Sequence, residues 1–239
     1  MAPGQRAIDG LVEAVNAPLY DAWIEAEFNR QLGRQEEYLR AHQDDLDDPW
    51  ITTASGTRLH LLQPRHHELV RWENGAAALA NTCRFGGHVS RFYSVAEHSV
   101  RVHDLLRSWY RDDATCLAGL LHDWGEVGFG DCVGPLKRQP GMAWYRKAEH
   151  DMQDAVYEAA KLQVAKVPVK LADLVMLATE HQALRPRYDQ TNLGADTMDI
   201  PLPDPIRLRW WDRMGWSPRK ARRVLLSRLA GYGLVGGAT

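Results

Sequence analysis

Leu120-Leu121-His122-Asp123-Trp124-Gly125-Glu126 closes an apolar run that opens behind the acidic pair Asp112-Asp113. Asp112-Asp113 cap a helix whose Leu117, Ala118, Leu120 and Leu121 make it a core element ending near His122-Asp123. An imidazole and a carboxylate thus stand side by side at the end of a buried helix. Glu126 follows on the same face if the helix continues that far. A second imidazole, His98, lies 24 residues upstream, and a second carboxylate, Asp173, lies 50 residues downstream of Asp123, each on a different expected helix. Two imidazoles and two carboxylates suit one octahedral divalent ion with positions left for water.

Each of these residues has a plainer use on its own. His122 can be a satisfied polar residue, Asp123 a helix cap, and Asp173 a first-turn acid that complements the helix dipole. Jointly they read differently. Leu171, Ala172, Leu174 and Val175 surround Asp173, and burying such charges without a counter-ion is expensive. A divalent cation removes that cost. Glu126 is then expected beside the ion, orienting water or moving a proton, against the simpler reading of an exposed loop residue.

Working outward, Ser94-Val95-Ala96-Glu97 is a capping-box pattern that starts a helix at Val95 and carries it to about Trp109, with His98 in its first turn. Before it come a helix from Glu68 to Leu79 and a polar loop, Asn81 to Tyr93. After Glu126, a Gly-rich loop leads to an amphipathic helix from about Ala143 to Leu162. Pro168, suited to a first turn, opens a helix through Leu184 that carries Asp173. A short helix from Leu208 to Met214 and a basic helix after Ser217-Pro218 complete the chain. Ile51 to Leu62, with Ser55-Gly56 between two β-prone runs, reads as a short hairpin. Residues 1–50 read as an acidic helical extension, on which Tyr20, Ile24, Phe28 and Leu32 form one apolar stripe with Trp23 beside it. That stripe is expected to pack on the main domain or on a partner subunit. The fold expected is all-α apart from one small β-hairpin, with a main domain over 51–239.

Composition restricts the function. The 239 residues hold 45% hydrophobic and 25% charged side chains at a formal net charge of −2, an ordinary globular balance that gives no electrostatic reason to bind nucleic acid or membrane. Cys83, Cys116 and Cys132 lack metal-binding spacing and read as reduced thiols. With no signal pattern and no apolar stretch long enough to span a bilayer, the protein is expected in the cytoplasm. Other apparent signals are set aside. Gly128-Phe129-Gly130 and Gly134 are too widely spaced for a dinucleotide fingerprint. Arg219, Lys220, Arg222, Arg223 and Arg228 read as a solvated helical face. Trp210-Trp211 and Trp216 read as core or interface. His66-His67 and His103 lack partners at ligand spacing.

His98, His122-Asp123 and Asp173 resemble the H…HD…D signature of the HD-domain phosphohydrolase superfamily. The resemblance extends from about Ile51 to Leu184 and includes Arg84-Phe85-Gly86-Gly87-His88, Phe92-Tyr93-Ser94-Val95-Ala96-Glu97-His98-Ser99, Gly130-Asp131 with Pro135-Leu136-Lys137, and Val169-Lys170-Leu171-Ala172-Asp173. It is nearest to the YfbR-like 5′-deoxynucleotidase branch and to related phage dATP hydrolases. The resemblance implies an HD-domain helical bundle holding one divalent ion (Co, Mn or Mg) on His98, His122, Asp123 and Asp173. It further implies Glu126 as the catalytic carboxylate that activates water or protonates the leaving oxygen, and Asp131 as a second acid near the scissile bond. Arg84 and Lys137 are the implied phosphate contacts, and Phe85 the aromatic bordering sugar and base. The activity expected is removal of the 5′-phosphate from deoxyribonucleotides. A dNTP triphosphohydrolase is the alternative, and a catalytically silent nucleotide-sensing module the alternative of another class. A small-molecule deoxynucleotide is the expected partner, with a homo-oligomer, no membrane and no nucleic-acid polymer.

Overall fold

The computed structural model describes residues 18–41, 48–110, 112–163, 166–184, 204–207 and 213–236. They form two compact units that part between Asp48 and Pro49. The first holds one described helix, α1 (Pro18–Ala41). Its Trp23, Ile24, Phe28 and Leu32 are exposed.

The second unit opens with the expected hairpin, β1 (Trp50–Thr52) antiparallel to β2 (Arg58–His60) with Ile51 opposite Leu59. Everything after it is helical or loop: α2 (His66–Leu69), α3 (Trp72–Asn81), α4 (Val95–Trp109), α5 (Asp113–Leu121), α6 (Glu126–Phe129), α7 (Gly134–Lys137), α8 (Ala143–Ala159), α9 (Lys166–Leu184) and α10 (Pro218–Gly231). The described chain is an all-α bundle with one small two-stranded sheet.

Helix α4 is the axle of this unit, packing on α3, α5, α9 and α10. Its sequence serves two cores. Val95 and Val100 join Leu79, Leu120 and Leu225 in one, while Val102 and Leu106 join Cys116, Ala172 and Met176 in the other. Helix α5 lies very close to α4 because residue 119 is glycine: a Cβ there would stand 2.2 Å from Leu106 Cδ1. That close approach matters, since His122 follows three residues later.

Several boundaries differ from the sequence expectation for identifiable reasons. The helix expected over Glu68–Leu79 is split into α2 and α3, because Glu68 is taken up by the hairpin. Its carboxylate accepts from His60 N (3.0 Å) and bonds His60 Nδ1 (2.6 Å). Helix α4 begins at Val95 as the pattern requires, with Ser94 Oγ accepting from Glu97 N at 3.1 Å. The other half of the capping box is replaced. Glu97 turns its buried carboxylate to Trp216 N (2.6 Å), Gly215 N (3.1 Å) and Arg101 (2.8 Å). Burial pushes that carboxyl up, and Arg101 and the two amides oppose it. Helix α9 starts at Lys166, so Pro168 is its third residue rather than its first. Most of the short helix expected over Leu208–Met214, and Trp210-Trp211 with it, lies outside the described residues; Met214 itself is buried at a bend. Ser217 caps α10 by accepting from Lys220 N.

Candidate metal centre

Three helices converge on one point. His98 comes from the first turn of α4, His122 is the cap residue ending α5, and Asp173 lies on α9. Their ligand atoms lie within 4.8 Å of one another. The two Nε2 atoms are 3.1 Å apart, and Asp173 Oδ1 stands 3.3 Å from that of His98 and 3.8 Å from that of His122. Asp123 flanks both rings, with Oδ1 3.3 Å from His122 Nε2 and Oδ2 3.4 Å from His98 Nε2.

The hydrogen bonds behind the rings decide what these atoms can hold. His122 Nδ1 donates to the Gly119 carbonyl (2.8 Å), and His98 Nδ1 donates to Glu180 Oε1 (2.5 Å). Each ring therefore turns its lone-pair nitrogen inward. Two such nitrogens at 3.1 Å, with carboxylate oxygens beside them, repel unless a cation lies among them. Ligands bound at roughly 2.1 Å and at right angles stand about 3 Å apart, which is the spacing found. Titration says the same. Burial and Arg84 depress the His98 imidazole, yet Glu180 and Asp173 outweigh them and hold it at about 9. Despite burial, the imidazoles hold the Asp173 carboxyl well below the usual range, and with Arg84 they hold Asp123 low. The donor set fits one divalent cation of the kind that takes imidazole and carboxylate together.

Glu180 was not evident in the sequence reading. It is fully buried on α9 and accepts from His98 Nδ1, from Tyr93 Oη (2.8 Å) and from Arg84 Nε (3.2 Å). A carboxylate that orients a ligating imidazole fixes its tautomer and raises its basicity. The available signal was spacing: Glu180 is two helical turns beyond Asp173 and so shares its face. Arg84 bridges this layer to the ligands by donating from Nη1 to Asp123 Oδ2 at 3.1 Å. It is buried among carboxylates, which hold its guanidinium charged against the pull of burial.

The site opens into a cavity of about 600 Å³ lined by Arg84, Phe85, Asp123, Glu126, Asp131 and Lys137, among others. Glu126 reaches it by a route other than a continued helix. Helix α5 stops at Leu121, a turn follows, and Glu126 begins α6 with its amide donating to the Asp123 carbonyl at 3.1 Å. Its side chain is buried and Oε2 has no hydrogen-bond partner. Burial, then Asp123 and Asp131, push its carboxyl well above the ordinary range. Asp131 Oδ2 accepts from Phe85 N at 2.9 Å, and Phe85 holds a left-handed backbone (φ 59°) with its ring edge-on to His181. Lys137 is at the cavity wall but ion-paired with Glu149, a second partner the sequence reading did not single out. All nine residues picked from the sequence thus stand at the ligand cluster or along this one cavity. The basic residues of α10 lie elsewhere, and His103 is occupied by Asp104 (2.7 Å) and Tyr232 (2.9 Å).

Comparison with known proteins agrees with this geometry. The HD domain family matches residues 95–205, a span that starts at the first residue of α4 and includes all four clustered ligands. The uncharacterized protein YfdR of Escherichia coli K12 is 40% identical over 136 residues, which is 56% of this chain and 72% of that protein. An uncharacterized protein of Rhodobacter capsulatus is 32% identical over 169 residues, 67% of this chain and 83% of the relative.

Proposed function

The chain belongs to the HD-domain family of metal-dependent phosphohydrolases, and from that premise we propose that it removes the 5′-phosphate from deoxyribonucleotides. The observation that carries the reading is the cavity: a ligand cluster, a buried uncharged carboxyl and a cationic wall meet in about 600 Å³, within the usual range for small-molecule sites.

A divalent ion, Co, Mn or Mg, held by His98, His122, Asp123 and Asp173 supplies Lewis acidity to a phosphoryl oxygen and acidifies water. The protein's own groups do the rest. Glu180 and the Gly119 carbonyl keep the two imidazoles in the tautomer that ligates. Part of what raises Glu126 is the charge of Asp123, which ligation offsets. Burial persists, so Glu126 is the group suited to give its proton to the leaving oxygen. Asp131, braced by the Phe85 amide, stands as the second acid near the scissile bond. Phosphate contact falls to Lys137, which exchanges Glu149 for substrate, and to the buried Arg84 edge. The Phe85 ring borders the sugar and base.

One feature favours a second reading. Arg138 and Lys170 also line the cavity, and that much positive charge suits a triphosphate. The test is phosphate and polyphosphate release from deoxynucleoside mono-, di- and triphosphates with added Mn²⁺, Co²⁺ or Mg²⁺. Turnover of monophosphates supports the proposal. Release of tripolyphosphate from dNTPs alone moves the assignment to a triphosphohydrolase, and binding without turnover on any substrate leaves a nucleotide-sensing module.

A further inference from the structure

A second concavity, of about 820 Å³, lies between α3 and α10 and shares no lining residue with the metal cavity. Its apolar lining includes Ala80 of α3 with Leu226 and Ala230 of α10, and its charge comes from Arg219, Arg222 and Arg223 against the single carboxylate of Glu73. These arginines are three of five cations on α10. The other two are engaged: Lys220 sits over the Trp216 ring at 4.5 Å, and Arg228 forks onto Asp104 at 3.0 and 3.1 Å. Arg219, Arg222 and Arg223 are exposed and have no ion pair among the described residues. The cations left without a partner are the ones that line the groove.

Such a grouping has a cost. Positions 219, 222 and 223 are three and four residues apart on one helix face, where like charges repel. A ligand with negative charge spread along a chain relieves all three at once. Guanidinium groups fork onto phosphate oxygens better than onto a point anion. The small side chains of the lining leave room for an apolar or aromatic body beside the charge, and the volume is that of a small-molecule site rather than of a flat surface. We propose that this groove binds a phosphate-chain ligand, either a nucleoside triphosphate or free oligophosphate, at a place separate from the metal centre.

The test is local, so that binding in the metal cavity does not confuse it. The full-length protein, stripped of metal with chelator, is treated with phenylglyoxal alone, with dATP, or with inorganic tripolyphosphate, and arginine modification is mapped by mass spectrometry. Arg219, Arg222 and Arg223 are expected to be protected at least fivefold while Arg228 reacts unchanged. Protection by dATP alone assigns a nucleotide, and equal protection by tripolyphosphate assigns the phosphate chain. In R222Q/R223Q, checked for native helicity, the protection of Arg219 should weaken by roughly tenfold per arginine removed. No protection by either probe at millimolar concentration overturns the proposal. Protection by a single-stranded oligonucleotide alone also overturns it, in favour of a polymer-binding face.

Discussion

Replacing Glu180 by glutamine tests the layer behind the ligands. The carboxylate is fully buried and accepts three hydrogen bonds, from His98, Tyr93 and Arg84. Glutamine keeps the shape, and its carbonyl oxygen can still accept from His98 and Tyr93. Its amide then meets Arg84 Nε donor against donor, and the negative charge is gone. One buried donor left without an acceptor costs about 1–3 kcal/mol, a large part of a domain's roughly 5–15 kcal/mol. Loss of the carboxylate behind a ligating imidazole weakens metal binding about 10- to 100-fold. Urea unfolding of metal-free protein gives the first quantity and metal titration the second. The pH dependence has a definite sign. Burial raises the Glu180 carboxyl, but His98 and Arg84 bring it below its ordinary value. Its stabilisation is therefore complete above about pH 4.3 and is lost as pH falls through the lower folded pKa. The gap between wild type and E180Q should persist at neutral pH and close only in acid. A variant that unfolds at the wild-type midpoint and binds metal with wild-type affinity would refute the reasoning.

Asp123→Ala should lose most of the bound divalent ion along with activity; full occupancy by metal analysis would remove Asp123 from the ligand set. Glu126→Ala, which touches none of the ligand atoms, should keep metal and nucleotide while turnover falls roughly 10²- to 10⁴-fold, and a near wild-type rate would pass its role to Asp131. With Phe85 beside the sugar, dAMP should be hydrolysed faster than AMP by about 1–3 kcal/mol of discrimination, since a 2′-hydroxyl is left without a partner; equal rates would sink the deoxynucleotide assignment. Metal-free protein should lose stability as pH rises from about 6.5, the unfolded value for histidine, through the His98 value of about 9, because the raised imidazolium is stabilising only while protonated. Saturating divalent ion should abolish that slope, which thermal unfolding across the range measures.

The sequence made some of this legible because the signals were local. Ser94 and Asp112 caps gave the starts of α4 and α5, and the apolar run to Leu121 gave the helix that ends at His122. What escaped was set by distant partners. Glu68 reads as helical until the hairpin claims it, and Glu97 reads as half of a capping box until residues 215 and 216 take its carboxylate. Glu180 is separated from His98 by 82 positions, and nothing near it in the chain distinguishes it from a surface acid. Lys137 was visible as a cation, but its pairing with Glu149 on α8 was not. Spacing within a helix is printed in the sequence; which buried carboxylate meets which donor is decided by packing.

The Glu97 clamp also has a consequence for how the protein matures during synthesis. Glu97 is the immediate neighbour of His98, yet two of its hydrogen-bond donors, the amides of Gly215 and Trp216, lie 118 and 119 residues later. At about 5–20 residues per second, a ribosome needs on the order of ten seconds to deliver them. Until then Arg101 is the nearby group that offsets the charge, and the first turn of α4 carries a carboxylate that its final environment would bury. The metal-ligating turn is therefore finished by the tail of the chain. A nascent chain halted before residue 215 should bind divalent ion poorly even though all four of its ligands have already been made.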